Sequence, residues 1–117
     1  MVNITRQGAK TFVGDGWHRL IDEAYDTIEN SGLLVSVVQV KEKFGTLRIY
    51  FSLPTDATQE DYKKVHSILD TVSEKSAKTC EYCGKPGELD WTFAWAKCRC
   101  PECRDLQMKR MKNINVK

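Results

Sequence analysis

The sequence predicts an α+β fold: a helix–β-hairpin–helix body, then a small four-cysteine module with a short basic C-terminal helix. Three observations predict it. Apolar residues recur at helical spacing in two stretches, Trp17 to Ile28 and Tyr62 to Val72. Between them lie two runs rich in β-branched and aromatic residues, joined across Phe44-Gly45. After them come two Cys-x-x-Cys pairs, Cys80/Cys83 and Cys100/Cys103.

Residues 1–14 show no clear period and read as an arm or a loose first strand. Asp15 is placed to cap a helix, because its carboxylate can accept from the free amides of a first turn. Trp17, Leu20, Ile21, Ala24, Tyr25 and Ile28 then give one apolar stripe, and Gly32 is a stop in the left-handed position. The helix spans about 16–31. LLVSVVQVKEK and LRIYFSL follow as hairpin strands. In the second, Leu47, Ile49 and Phe51 alternate with Arg48, Tyr50 and Ser52, so one face packs and the other meets water. Pro54 ends that strand. Thr58 and Asp61 form a capping box, with Asp in place of the usual Glu, ahead of a second helix over 59–77. The chain divides near 76–79 into a body, 1–78, and a module, 79–117.

Each cysteine pair can hand two thiolates to one tetrahedral Zn²⁺, and residues 84–99 leave room for a short hairpin between them. Cys80, Cys83, Cys100 and Cys103 are therefore the expected ligands of one structural zinc. Gly84 permits the positive φ that turns backbone amides toward the sulfurs. Leu89 to Lys97, with Trp91, Phe93 and Trp95 alternating, reads as the return strand. Pro101 can open the basic helix Glu102–Lys112. Cys98 offers an alternative register through Cys98-x-Cys100, but the spacing favours 100 and 103 and leaves Cys98 a spare thiol. A zinc-bearing nuclease would need histidines near the second pair to activate water and hold a catalytic metal. The chain has only His18 and His66.

At 117 residues, 41% hydrophobic and 29% charged, the chain has the composition of a globular domain with an appendage. No apolar run is long enough to span a bilayer, and the first residues lack the apolar core of a signal peptide. A cytoplasmic location without membrane contact is expected, where cysteines serve metals before disulfides. The formal charge of +2 falls to zero once four thiolates hold a divalent ion, so overall basicity does not argue for nucleic acid. Its distribution is more telling, since Lys109, Arg110, Lys112 and Lys117 make the tail basic.

The second informative stretch runs from Lys41 to Arg48. It sets Lys41, Lys43 and Arg48 around a tight turn with Phe44 and Tyr50 close by. This is either a recognition surface for phosphate or carboxylate or a solvated hairpin whose charges discourage edge pairing. Trp17-His18 either lines a ligand cleft or staples the helix to the core. Trp91, Phe93 and Trp95 offer a platform for bases or rings that pack the module against its neighbour. No Ser/His/Asp or Cys/His constellation and no glycine-rich phosphate loop is present.

Gly16-Trp17 with Leu20-Ile21, then Val40-Lys-Glu-Lys-Phe-Gly-Thr-Leu-Arg-Ile-Tyr50, then Cys80-x-x-Cys83-Gly84 with Trp95 before Cys100, resembles a group of small, largely uncharacterised phage and bacterial proteins. The likeness covers roughly residues 16–103, and the Lys41–Arg48 segment is its distinctive part. It implies a phage-type provenance and adds weight to the hairpin as a binding surface. The chain departs from the group in Cys98 and in its basic extension. The expected function is a non-enzymatic zinc-ribbon protein that docks on a host or viral protein, with inhibition of a host enzyme or defence component one outcome. The alternative is a nucleic-acid-binding module that uses Lys41, Lys43, Arg48 and the basic tail.

Overall fold

The computed structural model describes residues 3–90 and 96–106. The α+β fold is as expected. A short helix α1 (Arg6–Lys10) leads through a 3₁₀ turn (Asp15–Trp17) into α2 (His18–Asn30). The hairpin β1 (Ser36–Lys43) and β2 (Thr46–Ser52) follows, then α3 (Gln59–Ser76) and the small pair β3 (Glu88–Asp90) and β4 (Lys97–Arg99). Residues 101–106 are helical.

The N-terminal segment is neither a loose arm nor a strand. Thr5 accepts from the Gly8 amide and starts α1. Ahead of it, the Ile4 amide donates to the Val37 carbonyl at 2.8 Å and Asn3 accepts from the Val37 amide, which closes the outer edge of β1. Arg6 reaches Asp22 and Asp26 on α2, and Lys10 reaches Asp22. These are long-range pairings that no apolar period announces. Asp15 does not cap α2 either. It opens the 3₁₀ turn, and α2 begins at His18.

Leu20, Ile21, Ala24 and Ile28 of α2 and Val65, Leu69 and Val72 of α3 form the buried stripes. They meet Val37, Val40 and Leu47 of the hairpin in one core. The Thr58–Asp61 capping box is present in both directions at 3.1 Å. Gly32 takes φ +77° just past α2, the left-handed stop. Lys43 faces Thr46 across a two-residue turn in which Phe44 and Gly45 both have positive φ, +52° and +80°. That geometry matches the right-handed twist of the strands. A bulge between Val37 and Gln39 bends β1.

The module is a second antiparallel hairpin with Leu89 opposite Cys98. Leu89 and Lys97 therefore lie on opposing strands, and no single return strand runs from one to the other. Trp91, Phe93 and Trp95 lie outside the described residues, as do Lys109, Arg110, Lys112 and Lys117 of the tail.

Candidate functional site

Cys80 and Cys83 sit on a turn closed by the Cys80 amide to the Lys85 carbonyl, 2.8 Å, and the Gly84 amide to the Cys80 carbonyl, 3.0 Å. Gly84 takes φ +81°, a conformation that favours glycine. Cys100 follows β4, and Cys103 lies in the helical stretch 101–106, its amide donating to the Cys100 sulfur at 3.4 Å. The four sulfurs lie within 4.8 Å of one another, with Cys83 and Cys100 at 3.5 Å. A tetrahedral ion with metal–sulfur bonds of about 2.3 Å needs sulfurs roughly 3.8 Å apart. Cys80, Cys83, Cys100 and Cys103 are thus positioned to hold one metal ion.

The local field favours thiolate at Cys80. Burial alone would push its thiol up, but the backbone amides of Cys100, Cys83 and Tyr82 outweigh it and bring the value down to about 7. Cys98 is the opposite case. It is fully buried, belongs to the hydrophobic core and directs its sulfur at the Ala77 carbonyl, 3.4 Å away. Burial, reinforced by the charge of Cys80, pushes its thiol up to about 11. It stands outside the four-sulfur group.

The knuckle is seated on the body through the turn ahead of α2. The Gly16 amide donates to the Glu81 carbonyl at 2.7 Å, and the Gly14 amide to the Glu81 carboxylate at 3.1 Å. A Cβ at Gly16 would overlap the Cys80 carbonyl oxygen, and one at Gly14 would overlap that of Glu81. Trp17 is wholly buried, and its indole N–H donates to the Thr79 carbonyl at 2.8 Å. It is therefore a core residue that spends its one polar group on the seam. His18 bonds the Lys10 carbonyl, and His66 packs edge-on against Phe51.

The hairpin tip makes the second seam. Glu42 accepts from the Gly45 amide with one oxygen and from Lys97 with the other, both at 2.7 Å. Gly45 is buried against the Leu89 side chain, which would have to shift to admit a Cβ, and its φ of +80° favours glycine in any case. Lys97 also stands 3.7 Å from Glu81. Burial alone would lower the pKa of its amine, but the Glu42 hydrogen bond and the charges of Glu81 and Glu42 raise it.

The Lys41–Arg48 segment is thus divided between two faces. Glu42, Gly45 and Leu47 point inward. Lys41 pairs with Arg48 across the strands, and Gln39 with Tyr50, so these side chains share the outer face with Lys43. Lys41 lies 5.4 Å from the Tyr50 ring centre and Lys43 5.9 Å from that of Phe44. Among the described residues, none of Lys41, Lys43 and Arg48 forms an ion pair. Phe44 is 62% exposed.

The role of Gly14 and Gly16 escaped the sequence reading. Their spacing in Gly-Asp-Gly-Trp is the only signal, and it does not say what approaches them. No protein-family model, curated protein or solved structure matches this chain. Among the described residues, no helix is long and apolar enough to cross a membrane.

Proposed function

We propose that this is a non-enzymatic binding protein in which a structural zinc holds the C-terminal module and the outer hairpin face docks onto an acidic surface of a partner protein. Phe44 carries the reading. A bulky residue at positive φ costs about 1–2 kcal/mol relative to a glycine. Here it also leaves an aromatic ring in water. Such a double cost is expected where the ring is wanted at a surface rather than for the fold. Lys41, Lys43 and Arg48 surround it without acidic partners among the described residues. A four-thiolate site leaves no open coordination position for chemistry, which supports a structural zinc and a non-enzymatic role. An accessory or regulatory factor acting on a host or viral protein, with inhibition of a host enzyme or defence component one outcome, fits the phage-type provenance that the resemblance of the same segment implies.

A second reading is favoured by Tyr50 and Phe44 standing exposed beside cations on one face, an arrangement that suits stacked bases and phosphates. One experiment separates the two. Protein with verified zinc content is used for affinity capture from lysate with and without nuclease, beside a Lys41→Ala/Lys43→Ala/Arg48→Ala control. A discrete protein recovered in both samples and lost with the control supports docking. Recovery only without nuclease, with affinity falling linearly in log salt, gives nucleic acid first place. Metal analysis finding no zinc in freshly prepared protein would overturn the structural-zinc assignment.

A further inference from the structure

We propose that the free edge of β2, beside α3, receives an extended peptide as an added strand, its acidic side chains toward Arg48 and its apolar side chains toward α3. The proposal rests on the docking reading above and specifies the form of the partner.

The hairpin is a two-stranded sheet, so each strand has an edge. The β1 edge is closed at Val37 by Asn3 and Ile4. The β2 edge is closed at Leu47 alone, whose amide donates to Ser76 Oγ at 2.8 Å. In an antiparallel pair, alternate residues turn their backbone groups outward, so the amides and carbonyls of Ile49 and Phe51 face the same way as that of Leu47. No hydrogen bond from outside the hairpin reaches them among the described residues. An exposed row of this kind is a template for strand addition.

A groove of about 350 Å³ runs along this edge. It is lined by consecutive residues of β2, from Leu47 to Phe51, together with Tyr62, His66 and Asp70 of α3. Consecutive strand residues point to opposite faces, so a cavity touching all of them lies along the edge and not on one face. Side chains of an added strand would alternate in the same way. Those on the inner side would meet Phe51, Tyr62 and His66, where apolar groups fit and Asp70 disfavours acids. Those on the outer side would lie next to Arg48 and Tyr50, in the cationic field that Lys41 and Lys43 extend. Charge complementarity thus sets the pattern: apolar inward, acidic outward, in alternation.

The test is an NMR titration of the zinc-loaded full chain with a synthetic peptide alternating valine and glutamate, beside a valine–lysine peptide of equal length. The expected result is binding of the first peptide, with slowed hydrogen exchange at the Ile49 and Phe51 amides. Arg48→Glu, which leaves the edge intact, should weaken that binding about tenfold and favour the lysine peptide. Ile49→Pro should abolish it by removing an outward donor; since proline can also disturb the strand, the wild-type exchange pattern is decisive. Binding without protection of either amide would overturn strand addition while leaving outer-face docking standing. No binding of the glutamate peptide would also overturn it, and the lysate capture then judges docking separately.

Discussion

Gly16 packs so closely on Cys80 that the carbonyl oxygen of this residue, one of four positioned to hold a metal ion, occupies the place where a side chain would begin. The 3₁₀ turn and the cysteine knuckle are therefore two halves of one contact, and glycine is the condition for it.

Gly16→Ala should accordingly cost about 1–3 kcal/mol, the range for overpacking a close contact, and loosen the knuckle with it. Gly32→Ala is the control, because φ +77° strains alanine there but no atom lies within 4 Å of its Cβ. It should cost about 1 kcal/mol and leave metal retention unchanged. Urea midpoints with metal content measured on the same samples check both. Equal metal retention in the two variants would sink the seam argument.

Cys80→Ser or Cys103→Ser should release the metal, since three thiolates and an alcohol make a poor site for a soft-ligand ion. Cys98→Ser should retain one equivalent, because its sulfur addresses Ala77 and the core. The serine hydroxyl can donate to the same Ala77 carbonyl, so the loss of the buried sulfur should lower stability by no more than about 1 kcal/mol. Metal-to-protein ratios and thermal midpoints report the two effects separately.

Those cysteines were legible because a metal site writes its spacing locally. So were the stripes of α2 and α3 and the Thr58–Asp61 box, each set within a few residues by helical geometry. The hairpin was legible as Phe44-Gly45 between β-branched runs. What was not legible depends on partners distant in sequence. Arg6–Lys10 is helical in a segment without apolar period, held by Asp22 and Asp26. Asp15 has the chemistry of a helix cap, but the contact of Gly16 with Glu81 and Cys80 turns the chain into a 3₁₀ turn first. The inward use of Glu42 and Gly45 could not be separated from the outward use of Lys43 and Phe44, because the body–module seam that divides them is tertiary.

Phe44→Asn should separate fold from function. Asparagine tolerates the left-handed region and adds no exposed ring, so stability should hold or rise by up to about 1 kcal/mol. Affinity for the captured partner should fall at the same time. Unchanged partner affinity in this variant would remove Phe44 from the docking face.

Asp22 offers a pH test at the other end of the body. The hydrogen bond from Lys10, with Arg6 adding to it, holds its carboxyl below the ordinary 3.8 despite the opposing effect of partial burial. A lowered folded-state pKa means that the stabilisation is present above the unfolded value and lost as pH falls through the folded one. Docking of α1 should therefore persist at neutral pH and weaken only below about 4. Asp22→Asn should show the weakened docking at every pH, read as faster amide exchange in residues 6–10.

Ser76→Ala should cost about 1–3 kcal/mol, because the buried Leu47 amide would lose its acceptor. The Ser76 hydroxyl also donates to the Ser73 carbonyl at 2.5 Å, so its orientation is set. Chemical denaturation checks the magnitude. A cost below a few tenths would mean that water replaces the hydroxyl.

The indole of Trp17 bonded to Thr79 has a bearing on the order of events during synthesis. Trp17 leaves the ribosome well before its acceptor, the Cys80 carbonyl against Gly16 and the core residue Cys98. Domains commonly fold as they emerge, N-terminal parts first. The site of Trp17 is complete only once Thr79, Cys80 and Cys98 have followed it, so the nascent chain carries an unburied indole through the whole stretch between them.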